Sequence, residues 1–183
     1  MNQLKNKSSV LEEDVDLENE DPTTHKKILE IFAKNNTPYT LTTHEPVLTS
    51  EQAAEVRKFP LSTGAKAILV HMIKDKEESY NFFVMSGVKK ISWPKVKKFL
   101  GSKTLRFARL PEVKLITGCL TGAVPPFGSV FQGGLKTHVD PSLKNQSEII
   151  TFNVGLRTHS IVMNYEDWAK VENPTVVDFV DDK

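Results

Sequence analysis

Apolar positions along this chain follow two rhythms, the period of a helix and the alternation of a strand. Ile28, Ile31 and Phe32 recur at i, i+3 and i+4 behind Asp21-Pro22, which predicts a helix with Asp21 as N-cap and Pro22 at its first position. Asn35-Asn36 and Pro38 end it. Alternation over 39–43 predicts a short strand, and His44-Glu45-Pro46 a turn. Thr49-Ser50-Glu51-Gln52 is a capping-box start for a helix running to about Lys58. The apolar runs 65–73 and 79–86, parted by the charged stretch 74–78, predict a hairpin from the middle of a sheet. A helix follows from Ser92-Trp93-Pro94 to Gly101, its C′ residue, then a strand over 104–108 and a helix from Pro111 to Gly118. Beyond the loop 118–128, strands are expected at 129–131, 137–140, 148–154 and 160–163, with Gly133-Gly134 as a tight turn. Asn164 caps a closing helix over 165–170.

This order is neither a regular βαβ repeat nor a meander. It is read as a single α/β domain on one mixed, strongly curved, barrel-like sheet surrounded by helices, spanning 21–183. Residues 1–20 have no apolar period and carry Glu12, Glu13, Asp14, Asp16, Glu18 and Glu20, so they are expected to form a disordered acidic arm.

Composition narrows the function. A net charge of +1 gives no global basic field, so any RNA must be held by a local patch. The single cysteine, Cys119, excludes an internal disulfide and fits a reducing, cytoplasmic setting. The N-terminus shows no apolar run of a signal peptide or membrane span. The five histidines are not spaced as zinc ligands, no metal or other cofactor is expected, and no G-x-S-x-G elbow is present. Gly128-x-x-x-x-Gly133-Gly134 resembles the start of a phosphate loop, but the Lys and Ser/Thr that must follow directly are absent, Leu135 intervening before Lys136 and Thr137, which argues against a nucleoside triphosphatase.

Three places could carry chemistry. The loop Gly118-Cys119-Leu120-Thr121-Gly122-Ala123-Val124-Pro125-Pro126-Phe127-Gly128 is stiffened by prolines and framed by glycines. It is either a tight connection or a cradle whose N–H groups bind a carbonyl or phosphate oxygen. Cys119 beside it is either a thiolate or a small apolar filler. Lys66, between Ala65 and Ala67 at the entrance of an apolar strand, is either a lysine snorkelling at a sheet edge or a cation aimed into a pocket. The turn from Asn153 through Gly155 to His159 is either a polar hairpin end or a substrate-orienting group. Lys95, Lys97 and Lys98 read as a solvated face.

Together these marks resemble the YbaK-like, or prolyl-tRNA editing, domain family over about 24–171. They are the His44-Glu45-Pro46 turn before Thr49-Ser50-Glu51-Gln52-Ala53-Ala54, the Gly64-Ala65-Lys66-Ala67 entrance, the Gly122-to-Pro126 loop and the Asn153-to-His159 turn. The resemblance implies hydrolysis of the ester in mischarged tRNA(Pro), in cis or in trans. Lys66 would hold the phosphate and terminal adenosine of the acceptor end. Gly122 would lead the loop that binds the aminoacyl carbonyl. Ala123, Val124, Pro125, Pro126, Phe127, Asn153 and Gly155 would line the substrate, with Val124, Pro125 and Phe127 as the wall against prolyl groups. His159 matches a histidine of members acting on alanyl-tRNA(Pro), which favours alanine. Deacylation of cysteinyl-, seryl- or threonyl-tRNA stays open, as does a catalytically inactive tRNA-binding adaptor. Prolyl-tRNA synthetase would be a fused or associated partner.

Overall fold

The computed structural model describes residues 15–182, so most of the arm expected over 1–20 lies outside the described residues. Its helices are α1 (Thr23–Asn35), α2 (Ser50–Arg57), α3 (Trp93–Leu100), α4 (Leu110–Thr117), α5 (Ser142–Gln146) and α6 (Tyr165–Glu172). Its strands are β1 (Thr40–Thr43), β2 (Ala65–Lys74), β3 (Glu77–Ser86), β4 (Thr104–Phe107), β5 (Thr137–Val139), β6 (Ile149–Asn153), β7 (His159–Asn164) and β8 (Thr175–Val176).

Local chemistry explains most boundaries. The capping box at Thr49 forms as the sequence implies, with Gln52 reciprocating. α1 begins one residue later than expected: Pro22 is the cap position, and Asp21 accepts from the Thr23 N–H at 2.8 Å. Asn36, Lys58, Gly101 and Gly118 each end a helix in the left-handed conformation. Asn164 caps α6 by accepting from the Glu166 N–H.

The strands form two sheets where one was expected. An antiparallel sheet has the order β1-β7-β6, and a mixed sheet the order β4-β2-β3-β5-β8, with β5 parallel to β3 and to β8. A single parallel bridge, Gly64 to Thr151, joins them. Neither sheet closes on itself, so the barrel-like expectation is corrected to a mixed α/β fold on two open sheets. Apolar alternation fixes which face of a strand is buried; it carries no information on which strand lies alongside.

Other expectations also change. Residues 129–131 form no strand: Gly128–Val130 is one tight helical turn, and the Gly128 N–H donates to Thr137 Oγ1 at 3.0 Å. A Cβ on Gly128 would lie 2.5 Å from the Leu135 carbonyl oxygen, so only glycine fits there. Neither α5 nor β8 was expected. α5 had a readable signal, since Asp140 accepts from the Ser142 N–H across Pro141. β8 is too short to leave one.

Strand alternation divides the core. Ala65 and Leu69 of β2 with Phe82 and Val84 of β3 face a cluster shared with α1, β6, β7 and α6, centred on Phe32, Phe127, Phe152 and Trp168. Val70, Phe83 and Met85 face a second cluster closed by Val96 of α3 and Phe179.

Candidate functional site

A cavity of about 250 Å³ opens where α2, the entrance of β2, the Gly122 loop and β6 converge. It is below the usual size of drug-sized pockets, about 300–1,000 Å³. Of the expected site residues, Lys66, Gly122, Val124 and Asn153 border it. Ala123, Pro125, Pro126, Phe127, Gly155 and His159 do not.

Gly122 has φ +89°, and a Cβ there would come within 3.0 Å of the Leu48 carbonyl oxygen and 3.2 Å of Leu48 Cα. Both conformation and close approach therefore require glycine. Its carbonyl accepts from Asn153 Nδ2 at 2.7 Å, which pins the loop to β6. The Ala123 N–H is spent on the Leu120 carbonyl at 3.0 Å, while those of Gly122 and Val124 have no acceptor among the described residues. The cradle's available donors are thus Gly122 and Val124 rather than Ala123.

The rest of the loop is scaffold. Phe127 packs between Phe32 and Phe152, with ring centroids 5.6 and 5.7 Å away. Pro125 and Pro126 are buried, and the Pro126 carbonyl accepts from Trp168 Nε1 at 3.0 Å. Of the residues expected to form a wall, Val124 alone faces the cavity. Gly155, at φ +83°, sits with its Cα against the His25 backbone and donates its N–H to the Ala123 carbonyl at 3.0 Å. It braces the loop from behind.

Lys66 borders the cavity, but its ammonium turns away from the cradle. Ala65, Ala67 and Leu69 point to the cluster that includes Val124, and Lys66 alternates to the other face with Ile68 and Val70. Its ammonium donates to the Gly87 carbonyl at 3.4 Å and to the Lys89 carbonyl. Burial lowers its pKa, Glu51 partly offsets that, and Lys90 lowers it further. Lys66 and Gly122 therefore both border the cavity, with the ammonium held at the Gly87 and Lys89 carbonyls rather than aimed at the loop.

His159 opens β7 opposite Thr43. Its Nδ1 pairs with Thr158 Oγ1 at 2.8 Å, and its ring meets His25 edge-on at 5.0 Å. Burial, then His25 and His44, lower its pKa. Cys119 is 1% exposed, and burial pushes its thiol up to about 11, so it is a protonated filler at neutral pH and not a nucleophile.

The sequence reading missed Arg57, at the end of α2. Its guanidinium borders the cavity and donates from Nε to Ser160 Oγ at 2.7 Å, from NH1 to Thr151 Oγ1 at 3.3 Å and from NH2 to Asn153 Oδ1 at 2.6 Å. Desolvation lowers its pKa to about 10, with no carboxylate acting to restore it, and it stays charged at neutral pH. Asn153 is 6% exposed; its Oδ1 also accepts from Ser160, and one Nδ2 N–H donates to the Gly122 carbonyl. His44 completes the set. Its Nδ1 donates to the Glu45 carbonyl, 2.7 Å away, and its Nε2 lies 2.5 Å from Ser160 Oγ, whose one proton is shared between His44 and Asn153 Oδ1. An arginine in the last turn of a helix reads as a complement to the helix dipole, and that ordinary reading hides its second role.

No group of three or more His, Cys, Asp or Glu among the described residues could hold a metal ion, and no helix among them is long and apolar enough to cross a membrane.

Comparison with known proteins fits this geometry. Residues 44–171 match the model of the aminoacyl-tRNA editing domain. The chain is 26% identical over 156 residues to the multifunctional Ser/Thr-tRNA deacylase ProXp-y of Escherichia coli strain K12, covering 85% of this chain and 92% of the relative. Its fold is similar to that of a protein proposed as a trans-editing enzyme for prolyl tRNA synthetase, with TM-score 0.71, 17% identity and coverage of 87% and 98%. It is likewise similar to a chain from epitope-backbone grafting on scaffold proteins, with TM-score 0.72, 16% identity and the same coverage. The match spans α2, the Lys66 entrance, the Gly122 loop and the Arg57–Asn153 wall, and the chain accordingly belongs to the aminoacyl-tRNA editing domain family, as an aminoacyl-tRNA deacylase.

Proposed function

We propose that this deacylase removes a small hydroxyl-bearing acyl group, serine or threonine, from the acceptor end of mischarged tRNA, with tRNA(Pro) as its first candidate. One observation carries the choice. The cavity is small and apolar toward Val124, Leu69 and Phe152, yet one wall is polar, built from Arg57, Thr151 and Asn153. An alanyl group would leave that wall without a partner, which costs binding. The Ser/Thr-tRNA deacylase among the relatives supports the same choice. Alanine was favoured through His159, and His159 stands outside the cavity beside His25 and Thr158. We therefore give it no part in the hydrolysis.

The reaction follows from the cradle. The ester carbonyl oxygen accepts from the Gly122 N–H, with Val124 as second donor, and so gains a place for the charge that develops when water attacks. A hydroxyl of the terminal ribose helps to orient that water. The C–O bond to the ribose then breaks, giving free amino acid and tRNA with its 3′ end restored. Lys66 acts outside the acyl cavity. Its ammonium, turned to the Gly87 and Lys89 carbonyls with Lys90 close enough to be felt, meets a phosphate of the acceptor end. The enzyme would work alone or beside prolyl-tRNA synthetase.

A deacylation panel with alanyl-, seryl-, threonyl-, cysteinyl- and prolyl-tRNA(Pro) tests this reading. Seryl or threonyl release should be fastest and prolyl release undetectable. Lys66→Ala should raise KM for tRNA about 10–100-fold while leaving the thermal midpoint nearly unchanged, since it removes a hydrogen bond to a charged group. Faster release of alanine than of serine would overturn the choice of substrate.

A further inference from the structure

We propose that Arg57 is the residue that reads the acyl side chain, donating to the side-chain oxygen of serine or threonine from the cavity wall. This rests on the deacylase reading and assigns its selectivity to one group. Most of the polar wall is already engaged. Asn153 spends its oxygen on Arg57 and Ser160 and one of its two amide N–H groups on Gly122, which leaves it a single neutral donor. Ser160 Oγ accepts from Arg57 and is shared with His44 and Asn153. Thr151 Oγ1 accepts from Arg57 and pairs with Thr63 at 3.3 Å. A guanidinium carries five N–H groups. Three are committed, one each to Ser160, Thr151 and Asn153, which leaves two with no acceptor among the described residues.

Those two belong to a cation that borders the cavity and is paired with no carboxylate among the described residues. A half-buried cation held only by neutral oxygens is costly to maintain, and an acceptor arriving with the substrate relieves it. A hydroxyl oxygen within reach takes a charge-assisted hydrogen bond. A methyl group in the same place leaves both donors dry. Sites built in this way discriminate strongly against the analogue that lacks the oxygen. The three existing bonds keep the planar group from swinging to solvent, so the readout is preorganised rather than formed on binding.

The test compares kcat/KM for seryl- and alanyl-tRNA(Pro) in wild type, Arg57→Met and Arg57→Lys. Loss of a charge-assisted hydrogen bond predicts that the serine-to-alanine ratio falls about 10–100-fold in Arg57→Met. Arg57→Lys keeps the charge but not the fork, and its ratio should fall to an intermediate value. If Arg57→Met does not fold, as judged by its circular dichroism melt, Arg57→Lys alone carries the comparison. An equal fall for both acyl groups, or an unchanged ratio, overturns the assignment and leaves Arg57 as a brace for Asn153. A wild-type protein inactive on every acyl group overturns the deacylase reading together with this one, so the two failures are distinguishable.

Discussion

Gly122 shows how much one residue decides here. It combines φ +89° with Leu48 backbone atoms where a Cβ would stand, so Gly122→Ala strains the loop and pushes it off the Val47–Leu48 segment at once. The expected result is a loss of about 1–3 kcal/mol in urea unfolding, with deacylation falling far more than stability does. Activity equal to wild type would show that the cradle tolerates displacement and does not bind the reacting carbonyl. The glycine and its prolines were legible in the sequence as a stiff loop. Which N–H groups the loop leaves available was not, because the Ala123 N–H is consumed by a turn to Leu120 that spacing alone does not reveal.

At the scale of elements, α4 is held to β4 by Glu112. That carboxylate is 6% exposed and accepts from Arg106, from the Arg109 side chain and backbone, and from Tyr80. Burial pushes its pKa up, but the hydrogen bonds outweigh burial and hold the carboxyl well below the usual carboxylate range. A folded-state pKa below the unfolded one stabilises the fold at pH above the unfolded value, and that contribution disappears as pH falls toward the folded value. Glu112→Gln should therefore cost about 1–3 kcal/mol at pH 7, less than a fully buried pair because Arg106 and Arg109 are partly exposed. The gap between variant and wild type should begin to narrow below roughly pH 4 and go on narrowing as pH falls toward the folded value. Urea melts at both pH values check this, and a gap that widens in acid would contradict it. Helix caps, the hairpin and the apolar runs at this scale were readable because their signals are local. The turn at Gly128–Val130 was misread as a strand, since Val130 and Phe131 look β-like until Gly128 is seen packed against Leu135.

Over the whole molecule, stability is unevenly spread. β2 and β3 are paired along their full length, and Phe82, Phe83 and Val84 are buried completely between the two core clusters. β1 is an edge strand exposed at every position and paired with β7 alone. Native-state hydrogen exchange should find the amides of Phe82 to Val84 opening only with global unfolding, and those of β1 exchanging by local opening. Equal protection in both would mean that the two sheets unfold as one unit.

The sequence by itself determined the class, most elements and the positions of Lys66, Gly122 and Asn153 along the chain, since propensity, capping and glycine chemistry act over a few residues. Tertiary structure alone decided that the strands split into two sheets and that the Lys66 ammonium turns to the Gly87 and Lys89 carbonyls. It also set His159 beside His25 and Thr158, outside the cavity lining, and brought Arg57 of α2 against Thr151, Asn153 and Ser160 of β6 and β7. Those contacts join residues 94 to 103 positions apart, and a pattern read along a chain holds no record of what folding sets side by side.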